Sequence, residues 1–145
     1  MVIYIGADHA GYNLKEYLKK YLQDKKLDFV DLGTYSSKEK NDYPDFAQKV
    51  CKKVIKDKKS KGLLICGTGT GMVIVANRYK GIRAAVAYDK YSAEMSRKDN
   101  DSNVLCLRGR KVKFEKQEKL LHKWLNVDFS NNIRHKRRIK KIEKK

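Results

Sequence analysis

Five short apolar segments, each followed by a stretch with helical periodicity, constrain the fold of this 145-residue chain more than any other feature. The first segment, "VIYI" at 2–5, precedes a stretch in which Leu14, Leu18 and Leu22 recur along one helix face. The other apolar segments lie at 28–32, 62–66, 84–88 and 104–107. Strands that alternate with helices form a parallel sheet covered on both faces. We therefore predict an α/β fold, a three-layer αβα Rossmann-like single domain over 1–145 with a five-stranded parallel sheet.

The remaining helices follow from the same alternation. Pro44 suits the first turn of a helix whose apolar face carries Phe46, Val50 and Val54. A helix through residue 76 is expected to stop near Gly81, because glycine often ends helices. Further helices are predicted at about 89–98, 113–125 and 133–144. The last one, within the basic residues 130–145, forms a C-terminal helical extension after the final strand.

The formal net charge is +18, and it is concentrated in the C-terminal part of the chain. Residues 108–145 hold 15 Lys and Arg against 4 Asp and Glu, a net +11, which leaves +7 for the first 107 residues. A basic segment of this kind suggests an anionic partner, and nucleic acid is one candidate. For most of these lysines we favour the other interpretation, in which they only solvate the surface, so nucleic acid is not the expected partner.

Composition also bears on the compartment. No apolar run approaches the roughly 18 residues of a membrane span, and the N-terminus opens directly into an apolar strand, without the basic start of a signal peptide. The three cysteines, Cys51, Cys66 and Cys106, form neither close pairs nor a zinc-binding pattern. We therefore expect a cytoplasmic protein without disulfides, membrane contact or metal.

The stretch "ICGTGTGM" at 65–72 places a cysteine at the end of an apolar strand and three glycines directly after it. In parallel α/β folds, ligands bind beyond the carboxyl ends of the strands. Backbone N–H groups that converge before a helix bind anions, and the same position favours a thiolate. A base beside a pocket for an oxyanion can remove a proton next to a carbonyl and hold the enediolate that forms. The other interpretation is a buried cysteine beside a tight turn.

Three other glycine-loop chemistries fit this stretch less well. A Walker A loop requires a lysine after its last glycine, and none follows Gly71. A phosphatase loop requires an arginine where Met72 stands. A dinucleotide fingerprint requires a third glycine at that same position, although Asp89 does stand about 20 residues further on, as an NAD-binding acid would.

Other polar residues are candidates for the same site. In "GADHAG", Asp8 and His9 follow the first strand and should face the same crevice. In "IRHKRR", Arg134 and Arg138 are four residues apart on one predicted helix face, where two guanidinium groups can bind a phosphate. The segment "DNDSN" at 99–103 is either part of the site or an ordinary polar turn. His122, within "KLLHKWL", is more typical of packing.

Several motifs in one order give the chain a resemblance to the type B ribose-5-phosphate isomerases and the related allose- and galactose-6-phosphate isomerases. They are "GADHAGYNLK", "DLGTYSS…NDYPDFA", "GLLICGTGTGMVIVANRYKGIRAA", "YSAEMSRKDNDSNVL" and "RHKRRIKKI", and they extend from residue 1 to about 142. The resemblance implies an aldose–ketose isomerase of the cytoplasm that needs no metal or organic cofactor. It also implies a homodimer or tetramer in which the C-terminal arginines reach into the partner's site.

The resemblance also implies roles for individual residues. Cys66 is the base that moves a proton between C1 and C2, and Thr68 lies beside the reacting oxygens. The other residues that the resemblance places around the substrate are Asp8, His9, Tyr43, Gly67, Gly69, Thr70, Gly71, Asn100, Arg110, Arg134, His135 and Arg138. Among these, the loop amides and Asn100 hold the enediolate, and the arginines, with His135 nearby, bind the phosphate.

One position departs from the family pattern. Many members carry a histidine just before the asparagine of "DNDSN", where it opens the sugar ring, and this chain has Asp99. We expect Asp99 to aid ring opening as an acid or a base, with His9 as the competing candidate. The expected reaction interconverts ribose 5-phosphate and ribulose 5-phosphate. The alternatives are a six-carbon sugar phosphate or, in another class, a nucleic-acid-binding or regulatory protein on the same fold.

Overall fold

A parallel sheet of five strands carries helices on both faces, in a computed structural model that describes residues 1–144. The strands are β1 (Ile3–Ala7), β2 (Phe29–Asp31), β3 (Lys61–Cys66), β4 (Ala84–Val86) and β5 (Val104–Arg108). The helices are α1 (Tyr12–Asp24), α2 (Tyr43–Lys56), α3 (Thr70–Ala76), α4 (Lys90–Lys98), α5 (Phe114–Leu125) and α6 (Ile133–Glu143). The predicted αβα architecture is confirmed, and the predicted element ends agree within about two residues, except at the end of α3.

The strand order is β2-β1-β3-β5-β4, and every pairing is parallel. The chain runs outward from β1 to β2 and then crosses back to the other side of β1 to form β3. The direction of winding therefore reverses between β1 and β3, and the loops after these two strands diverge there. Such a switch point is where open α/β sheets bind ligands.

Side-chain alternation along the strands divides the core into two layers. On β3, Leu63 and Ile65 pack with α1, α4 and α5, whereas Leu64 and Cys66 pack with α2 and α3. Both layers are apolar because a parallel sheet is buried on both faces. The sulfur of Cys66 therefore belongs to the α2–α3 side of the sheet.

Helix α3 ends at Ala76, five residues before the glycine that was expected to stop it. After Ala76 the backbone continues in tighter turns, with Tyr79 N–H donating to the Ala76 carbonyl and Ile82 N–H donating to that of Tyr79. Gly81 has a φ of +85°, which favours glycine, but it ends this turn region rather than the helix. Among residues 1–144, no helix is both long and apolar enough to cross a membrane.

Candidate functional site

Four loops converge at the carboxyl ends of β1, β2, β3 and β5. Two glycines allow this close approach, since a Cβ atom on Gly11 would lie 2.4 Å from the Ile65 carbonyl oxygen. A Cβ atom on Gly109 would lie 2.6 Å from the carbonyl oxygen of Ala10. Gly109 N–H also donates to the Cys66 carbonyl at 2.8 Å. The loops after β1, β3 and β5 are thus in backbone contact around Cys66.

Cys66 ends β3 with its side chain at the floor of these loops, and the residue is 5% exposed. Its Sγ accepts a hydrogen bond from Gly69 N–H at 3.1 Å. Gly69 has a φ of +82°, and a Cβ atom there would meet the Leu107 backbone at 3.2 Å. Helix α3 has only seven residues, so the donors near the sulfur are individual loop N–H groups rather than a long helix dipole. The geometry supplies a thiol with an N–H donor at its sulfur.

The other two cysteines lie in apolar surroundings away from any loop. Cys51 and Cys106 are both fully buried. Burial raises the pKa of Cys51 to about 12. The pKa of Cys106 is raised well above its usual value by burial, with smaller contributions from the two neighbouring thiols. Thiols of this kind stay protonated and inert. This contrast leaves Cys66 as the candidate for chemistry.

Two side chains flank the glycine loop. The ring of Tyr43, at the start of α2, covers Gly71 so closely that a Cβ atom on that glycine would lie 2.7 Å from it. Arg110 lies beside Gly67, with its Nη1 3.6 Å from the position of an added Cβ atom. Thr68 and Thr70 are exposed at the loop surface, and Thr70 N–H donates to Thr68 Oγ1 at 3.3 Å. The structure thus brings Tyr43, Arg110 and both threonines to the cysteine loop.

Asp8 and His9 reach the same edge of the sheet from β1. Asp8 is 6% exposed and accepts a hydrogen bond from Gly11 N–H at 3.0 Å. His9 contacts Asn41, which lies in the loop between β2 and α2. Asn41 was missed by the sequence reasoning. The one feature of the sequence that could have indicated a role for Asn41 is its place in "KNDYP", two residues before the candidate Tyr43.

The structure does not bring Asp99 and Asn100 to Cys66 of the same chain. Cys66 pairs with Arg108 at the carboxyl end of β5, whereas Asn100 precedes the amino end of that strand. The strand alone spans about 13 Å. Asn100 uses its carbonyl to accept from Arg83 Nε at 3.0 Å. Within one chain, Asn100 therefore lies at the opposite end of β5 from the cysteine loop, and its predicted place beside the loop amides stays a prediction.

Asp99 instead lies near the C-terminal extension. Its Oδ1 is 3.6 Å from Nδ1 of His135, which is 7% exposed and bonds Ser130 Oγ at 2.7 Å. Arg134 and Arg138 are exposed on α6. Five predicted site residues thus form a second group away from the cysteine loop, namely Asp99, Asn100, Arg134, His135 and Arg138.

Two alternatives for other residues can be settled from contacts. Asp89 caps α4 by accepting from Ser92 N–H at 2.7 Å, so it acts as a helix cap where the fingerprint alternative required a cofactor-binding acid. His122 pairs its Nδ1 with the Tyr21 hydroxyl at 2.8 Å, as expected for a packing residue. Within residues 1–144, no group of three or more His, Cys, Asp and Glu side chains is placed to hold a metal ion.

Comparison with known proteins gives consistent results over the whole chain. The sequence model of the Ribose/Galactose Isomerase family matches residues 3–142. A ribose 5-phosphate isomerase structure from Thermotoga maritima superposes with a TM-score of 0.95 at 42% identity, covering 99% of this chain and 98% of that one. Ribose-5-phosphate isomerase B of Escherichia coli is 39% identical over 97% of this chain and 93% of its own length.

A relative with a different substrate in its name is also similar. D-erythrulose-4-phosphate isomerase 2 of Mycolicibacterium smegmatis is 40% identical over 88% of this chain and 85% of its own length. The fold, the loop site and these relatives define an α/β enzyme of the isomerase class, an intramolecular oxidoreductase. The chain belongs to the ribose/galactose isomerase family.

Proposed function

We propose that this isomerase interconverts ribose 5-phosphate and ribulose 5-phosphate through an enediolate, with Cys66 as the base. The observation that carries the proposal is the Cys66 sulfur, which accepts from Gly69 N–H inside a loop of further backbone donors. The Escherichia coli and Thermotoga maritima relatives, whose names state ribose 5-phosphate, support the five-carbon substrate.

The chemistry begins with the open-chain aldose. The Cys66 thiolate takes the proton from C2, and the C–H electron pair moves toward C1 as the carbonyl oxygen O1 becomes an oxyanion. Backbone N–H groups between Gly67 and Gly71 that bond neither Cys66 Sγ nor Thr68 Oγ1 stabilise this charge. Thr68 relays the proton of the C2 hydroxyl to O1, and Cys66 returns its proton to C1. The product is the ketose. The reaction only moves protons and electron pairs within the substrate, so it consumes no external oxidant or reductant.

The remaining residues bind the substrate. Asp8, His9 and Tyr43 contact the sugar from the cysteine side, and Arg110 lies beside the loop. Since the α6 arginines lie apart from the loop of their own chain, we propose that a second copy supplies the other group of residues. These are Asp99, Asn100, Arg134, His135 and Arg138. The protein is then a homodimer, or a tetramer built from such dimers, with shared sites.

Asp99 is the proposed aid to ring opening within this shared site. The closed furanose needs a proton delivered to its ring oxygen and one removed from its anomeric hydroxyl. The Asp99 side chain is 40% exposed, so it can reach a bound sugar, and its Oδ1 lies 3.6 Å from Nδ1 of His135. A reducing compartment such as the cytoplasm suits the three free cysteines.

The test of the substrate is a coupled assay over phosphorylated sugars of four, five and six carbons. We expect the highest kcat/KM for ribose 5-phosphate. A higher value for erythrulose 4-phosphate, which the Mycolicibacterium smegmatis relative motivates, or for allose or galactose 6-phosphate would replace the proposed substrate.

The charge of +18 keeps nucleic-acid binding as a second candidate function. The two functions differ in their response to salt. Nucleic-acid affinity falls steeply with salt in proportion to the phosphates contacted, whereas binding of one sugar phosphate has a much shallower slope. Tight binding of a mixed-sequence duplex at physiological salt, without isomerase activity, would favour the second candidate.

A further inference from the structure

His9 is held in place by a residue 32 positions later in the chain. His9 N–H donates to Asn41 Oδ1 at 2.9 Å. In the opposite direction, Asn41 N–H donates to Nδ1 of the His9 ring at 3.3 Å. The same Nδ1 lies 3.4 Å from Asn41 Oδ1. Backbone and side chain of Asn41 thus both face one nitrogen of the imidazole.

The orientation of the Asn41 amide is fixed by two partners that agree. Its Nδ2 donates to Thr34 Oγ1 at 3.0 Å, so its Oδ1 must face His9. Thr34 is 6% exposed, and its N–H donates to the Ala7 carbonyl at 2.7 Å, at the end of β1. The contacts therefore form a closed ring from β1 through Thr34 and Asn41 back to His9.

This arrangement favours one tautomer of the His9 ring, because the shorter contact at Nδ1 is with the Asn41 N–H and Asn41 Oδ1 already accepts from the His9 backbone. A backbone N–H can only donate, so the neutral His9 ring accepts at Nδ1 and carries its proton on Nε2. In the protonated ring, Nδ1–H faces Asn41 Oδ1 instead. Among residues 1–144, no hydrogen bond occupies Nε2. The nitrogen left for a ligand is therefore a donor in both protonation states.

We propose that Asn41 is a positioning residue that fixes the His9 ring so that its Nε2–H donates to an oxygen of the sugar phosphate. This inference rests on the proposed function for the identity of the ligand. It makes His9 a donor to bound substrate and excludes it as a base acting through Nε2, since that atom has no free lone pair in either state. The role as base remains with Cys66.

The first test measures the tautomer of the His9 ring in the absence of substrate. Two-bond ¹H–¹⁵N spectra of the protein, with His9 identified by the signal missing in His9→Gln, should show a protonated Nε2 and an unprotonated Nδ1 for the neutral ring. In Asn41→Ala we expect a mixture of the two tautomers. A wild-type ring with its proton on Nδ1 overturns the proposal, whether or not ribose 5-phosphate is the substrate.

The second test separates positioning from general loop stability. Loss of one hydrogen-bonded contact to bound substrate corresponds to roughly a 3- to 10-fold rise in KM, with kcat within about twofold. Asn41→Ala and Thr34→Val should each raise KM. The double variant should have the same KM as Asn41→Ala, because both changes break the same series of contacts from Thr34 through Asn41 to His9.

The matched control is Ser36→Ala in the same loop, where the hydroxyl accepts only from Lys38 N–H at 3.1 Å. It should leave KM and the His9 tautomer unchanged. Equal KM values in wild type and Asn41→Ala would overturn the positioning role. A rise in KM in Ser36→Ala equal to that in Asn41→Ala would also overturn the positioning role, because any disturbance of this loop would then weaken substrate binding.

Discussion

At the scale of single residues, position within the fold separates three cysteines of identical chemistry. Cys66 ends a strand under a loop of N–H donors, whereas Cys51 and Cys106 are enclosed by apolar side chains. Burial raises the pKa of Cys51 to about 12, so this thiol is not ionised at neutral pH. Reactivity should therefore differ among the three.

Cys66→Ala should lose at least about 10²-fold in kcat, because a general base is removed from the reaction. It should still bind a hydroxamate analogue of the enediolate. Cys51→Ala and Cys106→Ala are the matched controls, and they should retain turnover while losing stability through a small cavity. In the native protein, iodoacetamide should modify Cys66 and leave Cys51 and Cys106 unmodified, which mass spectrometry of the digested protein would show. Near-normal turnover of Cys66→Ala would contradict the mechanism.

Asp99→Ala should lose roughly 10²-fold in kcat/KM on ribose 5-phosphate if this residue aids ring opening. The loss should be smaller on ribulose 5-phosphate, which has no furanose ring to open, measured with a trap for the aldose. Asp99→His should retain or raise activity, because imidazole titrates near neutrality. Wild-type rates of Asp99→Ala in both directions would make Asp99 a spectator.

At the scale of elements, a buried ion pair ties α1 to β2. Lys15 is fully buried on α1 and pairs with Asp31 on β2 and with Glu16 at 2.7 Å. Lys19 reaches the same Asp31 oxygen at 2.8 Å. Burial alone would raise the pKa of Asp31, but the two lysines outweigh it and hold that pKa below its usual 3.8. Asp31 therefore stabilises the fold mainly while it is ionised.

Asp31→Asn should lower the free energy of unfolding by about 3 kcal/mol at pH 7, because Lys15 is left buried with one weaker partner. Since the folded pKa is depressed, the contribution of Asp31 is fully present above pH 3.8 and is lost as the pH falls through the folded value. The difference between the two proteins should therefore shrink toward acid. Urea unfolding across pH measures this difference, with Asp24→Asn, which changes an exposed carboxylate on α1, as the control. A pH-independent difference would assign the effect to packing.

At the scale of the whole molecule, the proposed site residues form two groups. The first surrounds Cys66, and the second lies with α6 and the segment before β5. The two groups can act together only if the second comes from another chain, as the proposed dimer requires.

Mixing Cys66→Ala chains with Arg134→Ala/Arg138→Ala chains should restore activity, because a mixed dimer rebuilds one complete site. With random pairing, about one quarter of wild-type turnover is expected, since half the dimers are mixed and each has one intact site of two. Asn100→Ala should complement Cys66→Ala in the same way. If mixed dimers form, as native mass spectrometry would show, and activity stays absent, the arginines act within their own chain.

The sequence by itself determined the elements and the position of Cys66, the proposed base. Each strand is a short apolar run, and each helix has one apolar face. Because the sheet is buried on both faces, these local patterns are enough to predict the strands and helices. The glycines after Cys66 likewise predicted a tight loop. The structure agrees with this prediction, because Gly69 adopts a backbone conformation that favours glycine.

Only the tertiary structure decided which of the polar residues lie together. Asp99 and Asn100 precede a strand in the sequence, and its direction in the sheet places them at the far end from Cys66. Asn41 meets His9 across 32 residues because the loop after β2 folds back onto the end of β1. Such contacts depend on strand order and register, which join segments distant in sequence, and no local pattern of residues records them.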